Sequence, residues 1–126
     1  MHSEAQDWWK QAQADIKTAQ DNIITKNFYA SVLFSQQAAE KSLKALYIQV
    51  KESFPPKTHD LVELCRIVNA PEETVLASGK LTVTYLSSHY PGLAPKIPAD
   101  FYTKDKAIVH LKEAKVILQW ASSQIK

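Results

Sequence analysis

The stretch "QQAAEKSLKALYIQV", residues 36–50, decides the fold class of this chain. Mostly apolar residues in and just before this stretch recur at intervals of three and four, which is the spacing of one face of an α-helix. The members are Val32, Gln36, Ala39, Leu43, Leu46 and Val50, of which Gln36 alone is polar. A second apolar set falls on nearly the opposite face, and it consists of Phe34, Ala38, Ala45 and Ile48. A helix that is apolar on two sides packs on two sides, so the sequence predicts a central helix here.

Two further segments repeat the same spacing, and each predicts an amphipathic helix of about 20 residues. They comprise Ala5, Trp9, Ala12, Ile16, Ala19 and Ile23 before the central helix, and Ala107, Leu111, Ala114, Leu118, Ala121 and Ile125 after it. Pro55 and Pro56 cannot continue the central helix, and Thr58 is a suitable N-cap for a shorter one. Residues 87–103 hold three prolines and a glycine and predict a long irregular loop. We therefore predict an all-α, up-and-down antiparallel bundle of four to five helices, in one domain spanning residues 1–126.

Composition narrows the class of protein. The chain has 126 residues, a formal net charge of +2, two glycines and one cysteine, Cys65. This charge produces no strong field for nucleic acid or membrane, and so few glycines argue against phosphate-binding loops. A lone cysteine in an apolar pattern is typical of a reduced core residue. Because we find neither a signal peptide nor a run of about 20 apolar residues, we expect a cytoplasmic protein that does not enter a membrane.

The polar residues of the central helix gather on one narrow edge. Gln37, Glu40 and Lys44 share this edge, and Lys41 lies just beyond it. One interpretation is a solvent-exposed edge, in which Glu40 and Lys44 form an i,i+4 pair worth a few tenths of a kcal/mol. The other is an anion site, in which Lys41 and Lys44 meet a phosphate and Glu40 orients them. The spacing alone leaves both interpretations open.

Four polar residues outside that helix are further candidates. Asp15 can pair with Lys41 or Lys44 across the bundle or bind a ligand, and we favour the pair. His59 caps or packs the third helix, or contributes a polar group at the mouth of the site. His89 and Tyr90 pack the predicted loop or bind a base or phosphate, and we favour packing. The histidines lack metal-ligand spacing and Cys65 has no evident base, so the sequence predicts no metal, cofactor or catalytic residue.

The order and spacing of several motifs resemble one family. "FYASVLFSQQAAEKSLKALYIQV" followed by "PPKTHDLVEL" is similar to the HEPN domain, and "DWWKQAQADIKTAQ" and "SHYPG" extend the resemblance over essentially the whole chain. The resemblance implies a cytosolic prokaryotic helical bundle that forms a homodimer. It also implies a nucleotide ligand or a small nucleotidyltransferase as partner, sometimes within a toxin–antitoxin pair.

Some HEPN branches are metal-independent RNases with an Arg-x(4–6)-His motif, from which this chain departs. Its sole arginine, Arg66, has no histidine among residues 70–73, and His89 stands where relatives often carry arginine. We therefore expect a non-catalytic module that binds nucleotide or a nucleotidyltransferase partner. The alternatives are an RNase toxin acting on RNA through His59 or His89, and a structural dimerisation module. The candidate site residues are Asp15, Gln37, Glu40, Lys41, Lys44, His59, His89 and Tyr90.

Overall fold

The computed structural model describes the backbone of residues 3–89 and 97–125, and the side chains of residues 3–81 and 97–125. The regular structure in this part of the chain is helical throughout, which confirms the predicted all-α class. The six helices are α1 (Ser3–Ile24), α2 (Phe28–Lys51), α3 (Leu61–Ile67), α4 (Glu72–His89), α5 (Pro98–Phe101) and α6 (Lys104–Gln124). Among the described residues, no helix is both long enough and apolar enough to span a membrane.

Helices α1 and α2 form a tight hairpin. The turn between them places Lys26 in the left-handed region, with φ of 63°. Ala12 and Ala19 of α1 are fully buried, and the Ser31 hydroxyl of α2 donates a 2.7 Å hydrogen bond to the Ala19 carbonyl. Small side chains let the two backbones approach closely, as the alanine-rich stripe of α1 predicts. This close approach brings the polar residues of α1 and α2 within reach of one another.

The central position of α2 is confirmed, because it packs against all five other helices. At one end of the bundle, Val32 clusters with Tyr102 and Ala107. At the other end, Leu46 clusters with Ala121. Helices α2 and α6 therefore run in the same direction. In the middle, the buried Gln36 amide donates a 2.6 Å hydrogen bond to the Leu81 carbonyl of α4.

The start of α3 differs from the prediction. Thr58 is not the N-cap, because the cap is Asp60, whose carboxylate accepts hydrogen bonds from the backbone N–H groups of Val62 and Glu63. The Thr58 hydroxyl instead accepts a 3.0 Å bond from the Asp60 N–H, which forms a turn just before the helix. Both residue types cap helices well, and the carboxylate of Asp60 places the start two residues later. His59 therefore precedes α3 rather than lying in its first turn.

The predicted loop at residues 87–103 is partly helical. Helix α4 continues to His89, and Pro98–Phe101 forms the four-residue helix α5. Pro98 occupies the first helical position, where proline is tolerated because its missing N–H would be unpaired anyway. We predicted four or five helices, and the described residues form six. The additional helix is the short α5. Thr103 caps α6 by accepting a hydrogen bond from the Lys106 N–H.

Candidate functional site

Glu40 is the centre of a polar cluster that joins α2 to the segment before α3. One carboxylate oxygen lies 3.0 Å from the Lys44 ammonium, and the other lies 2.8 Å from Nδ1 of His59. The Glu40 side chain is 15% exposed and that of Lys44 is 8% exposed, whereas that of His59 is 60% exposed. The Glu40–Lys44 pair thus has the predicted partners but is largely shielded from solvent. The solvated-edge interpretation is wrong for these two residues.

Trp8 explains why Lys44 is buried. The Lys44 ammonium lies 5.7 Å from the centroid of the Trp8 ring, which reaches over it from α1. A cation over an aromatic face is stabilised by the ring quadrupole, and more so when the pair is shielded from water. Lys44 is therefore held between a carboxylate and an aromatic ring. Neither contact leaves the ammonium open to a ligand.

Asp15 and Lys41 form a second ion pair, between α1 and α2. The Lys41 ammonium lies 2.5 Å from Oδ2 of Asp15, and the Gln11 amide donates a 3.0 Å bond to Oδ1. The Asp15 side chain is only 4% exposed, whereas that of Lys41 is 23% exposed. The favoured pairing of Asp15 across the bundle is confirmed. Lys41 therefore faces α1, and its side chain remains partly exposed.

Gln37, the remaining predicted site residue with a described side chain, does not join these clusters. Gln37 is half-buried and forms no side-chain hydrogen bond within the part of the chain that the structure describes. His89 ends α4, but its side chain lies outside the described residues, as does Tyr90. The structure thus unites Asp15 with Lys41, and Glu40 with Lys44 and His59. It leaves Gln37 apart.

A shallow, solvent-open depression adjoins Lys41 on the α1 side. It has a volume of about 280 Å³, and its walls, almost wholly apolar, are formed by Asp7, Trp8, Gln11 and Lys41. The sequence-based candidates included only Lys41 of these four. The i,i+4 ladder of Asp7, Gln11 and Asp15 along α1 was the available signal, because residues at that spacing line one side of a helix.

The charges around this depression do not favour an anion. Lys41 and Lys44 contribute two positive charges, while Asp7, Asp15 and Glu40 contribute three negative charges. These five side chains therefore hold one more negative than positive formal charge. Each lysine already donates to a carboxylate, so a phosphate would have to compete with a partner that is held in place.

Other candidate chemistry is equally sparse in the described part of the chain. No group of three or more His, Cys, Asp or Glu side chains there is arranged to hold a metal ion. Cys65 is fully buried, with its thiol 2.9 Å from the Ser78 hydroxyl, and burial raises the pKa of that thiol. A buried thiol with a raised pKa is a poor nucleophile.

Comparison with known proteins identifies the family. The sequence matches the HEPN domain over residues 5–124. The chain belongs to the HEPN family. Two solved structures resemble this HEPN chain closely. The protein TT1696 from Thermus thermophilus is 28% identical, with a TM-score of 0.85, and the match covers 95% of this chain and 97% of TT1696.

The second similar structure is ST0689, described as an archaeal HEPN homologue. It is 29% identical to this HEPN chain with a TM-score of 0.83, and the match covers 97% of this chain and 98% of ST0689. No curated protein sequence matches the chain. The comparisons therefore establish the family and the fold.

Proposed function

We propose that this HEPN chain is a non-catalytic module that acts by binding a partner protein. The observation that carries the proposal is the neutralisation of both lysines of the predicted anion site, Lys41 by Asp15 and Lys44 by Glu40. A site for phosphate needs cationic donors that are free to turn toward the ligand. Here the ammonium groups are bound to carboxylates, and the surroundings carry a net negative charge. The partner interpretation needs no displacement of either lysine.

The shape of the depression supports a protein partner. Small-molecule pockets enclose most of the ligand surface, whereas this depression of about 280 Å³ is open to solvent. Trp8 forms part of its wall and remains half-exposed. Tryptophan is among the residue types most enriched at energetic hot spots of protein interfaces. The family resemblance makes a small nucleotidyltransferase the first partner to test, within a toxin–antitoxin pair or outside one.

Pairwise co-expression tests this proposal. The chain is co-produced with each protein encoded by the two flanking open reading frames, and complexes are measured by size-exclusion chromatography with light scattering. We expect a stable complex that Trp8→Ala weakens, once circular dichroism shows that this variant is folded, and that Leu76→Ala leaves intact, since Leu76 is 60% exposed on α4. Absence of a complex with either protein, or equal losses for the two variants, would contradict the proposal. The same measurement on the chain alone tests the expected homodimer.

Nucleotide binding is the second candidate, and one observation favours it. Lys41 is 23% exposed and lies beside the Trp8 ring in the same depression. A base could therefore stack on the ring while the ammonium meets a phosphate. Titration with ATP while tryptophan fluorescence is recorded tests this function. A saturable change that Lys41→Ala abolishes would support it, and no change at millimolar nucleotide in either protein would remove it.

A further inference from the structure

Asp7 differs from every other charged group around the depression. Lys41 is paired with Asp15, Lys44 with Glu40, and the Gln11 amide donates to Asp15. The exposed carboxylate of Asp7 forms no hydrogen bond or ion pair within the described residues. The carboxylate of Asp7 can therefore accept hydrogen bonds from a ligand. The charged side chains around the depression already include more carboxylates than ammonium groups.

The apolar wall of the depression also restricts which ligand can bind. Almost all of its accessible surface is apolar, although three of its four residues are polar. The apolar atoms of Asp7, Gln11 and Lys41 therefore line it together with Trp8, and their polar groups contribute almost none of the wall. A complementary group would be apolar along its length and would end in a positive charge with several N–H donors.

We propose that this depression binds an arginine side chain presented by the partner protein. Its aliphatic stem would cover the apolar wall, and its planar guanidinium would stack against Trp8 and donate two parallel hydrogen bonds to Asp7. The inference rests on the proposed function, because it specifies the chemistry of the partner at that same surface.

Arginine fits these features better than the other classes of ligand. A phosphate would approach a net negative set of charges whose lysines are committed. A purely apolar side chain would cover the wall but leave the Asp7 carboxylate partly desolvated without a partner, which costs free energy. Lysine carries the correct charge but lacks the planar fork that matches a carboxylate and stacks on an indole ring.

The experiment uses the full chain and defined small probes. The ¹⁵N–¹H spectrum contains indole signals from three tryptophans, and the Trp8 signal is assigned by its loss in Trp8→Phe. The probes are Nα-acetyl-arginine amide, its neutral isostere Nα-acetyl-citrulline amide, Nα-acetyl-lysine amide and AMP. We expect the arginine probe to shift the Trp8 signal saturably at low salt, with the lysine probe weaker and the citrulline probe inactive. High salt should weaken the shift, because exposed charges are screened.

Asp7→Asn is the decisive variant, and Asp21→Asn is its matched control. Asp21 is an exposed acid on the same helix that pairs with Lys17 at 3.0 Å, away from the depression. Asp7→Asn should weaken the arginine probe about tenfold, the change expected when a charge-assisted bidentate pair is lost, and Asp21→Asn should not. Equal response to arginine and citrulline, a stronger response to AMP, or an unchanged response in Asp7→Asn would overturn the inference.

The outcomes separate this inference from the proposed function. If a partner complex forms and Asp7→Asn leaves its affinity unchanged, the arginine site is wrong while partner binding stands. If the arginine probe binds through Asp7 but neither flanking protein forms a complex, the depression has the inferred chemistry, whereas the proposed partner function is contradicted. A lysine probe that binds as tightly as the arginine probe would overturn the choice of arginine.

Discussion

Replacement of Glu40 by methionine tests whether the Glu40–Lys44 pair is an interior pair. The variant Glu40→Met leaves the ammonium of Lys44, whose side chain is 8% exposed, without its carboxylate. Removing one partner of a buried ion pair costs about 3–5 kcal/mol. Because the Trp8 ring still faces the ammonium, we expect a loss near the lower limit, about 3 kcal/mol in the free energy of unfolding. For a chain of this length, that corresponds to a fall of about 10 °C in the melting temperature.

Two companion variants make the test specific. Glu40→Met combined with Lys44→Met removes both charges, so the free energy of unfolding should return to within about 1 kcal/mol of the wild type. Lys17→Met breaks the Lys17–Asp21 pair, whose side chains are 76% and 57% exposed. This exposed control should change the stability by less than about 0.5 kcal/mol.

The assay is urea unfolding followed by far-ultraviolet circular dichroism, with linear extrapolation to water. Two results would refute the reasoning. One is a Glu40→Met variant no less stable than Lys17→Met, which would mean that Lys44 reaches solvent when its partner is absent. The other is a double variant as unstable as the single one, which would mean that the carboxylate stabilises the fold through His59 rather than through Lys44.

Three further predictions concern the rest of the fold. Leu43→Ala opens a cavity at a fully buried position and should lower the free energy of unfolding by about 3 kcal/mol; a loss below about 1 kcal/mol in urea unfolding would contradict its core position. Asp60→Ala removes the N-cap of α3 and should cost about 1 kcal/mol in the same assay, whereas Thr58→Ala should cost less. Burial lowers the pKa of His110 below its usual 6.5, so the unfolded chain takes up the proton first and stability should fall as the pH drops below that value. The urea midpoint measured between about pH 8 and pH 5 should fall less in His110→Gln, and equal slopes would contradict this.

The fold was predictable from local spacing because the three longest helices each carry their own apolar period. The stripes of α1, α2 and α6 marked these helices, and two apolar faces marked α2 as central. Helix ends were less predictable, since Thr58 and Asp60 are both good caps and the choice depends on how α3 packs. The helical ends of the predicted loop at residues 87–103 were also missed. Proline and glycine destabilise the interior of a helix, but proline is tolerated at the first helical position. Their abundance therefore does not exclude a single helical turn that starts at Pro98.

The candidate site was predictable in its residues but not in its environment. Periodicity placed Glu40 and Lys44 on one edge of α2, and it also allowed Asp15 to reach Lys41. It could not show that Trp8 of α1 covers Lys44, because that contact depends on the angle and distance between two helices. Asp7 was marked in the sequence only by its i,i+4 spacing with Gln11 and Asp15. Its significance arises from its lack of a partner within the described residues, which only the assembled bundle reveals.

The tryptophans have a consequence for spectroscopy. Trp8, Trp9 and Trp120 all pack against the cluster formed by Ala45, Leu46, Ala121 and Ile125. Trp9 and Trp120 also pack against the central cluster that contains Leu43 and Leu64. The cluster at the opposite end contains Tyr102, Val32 and Ala107. Indole emission therefore monitors one end and the middle of the bundle, whereas within the described residues no tryptophan packs against the Tyr102 cluster. Unfolding that begins at the Tyr102 cluster would change the ellipticity before the emission, so a comparison of the two signals would show whether the two ends unfold together.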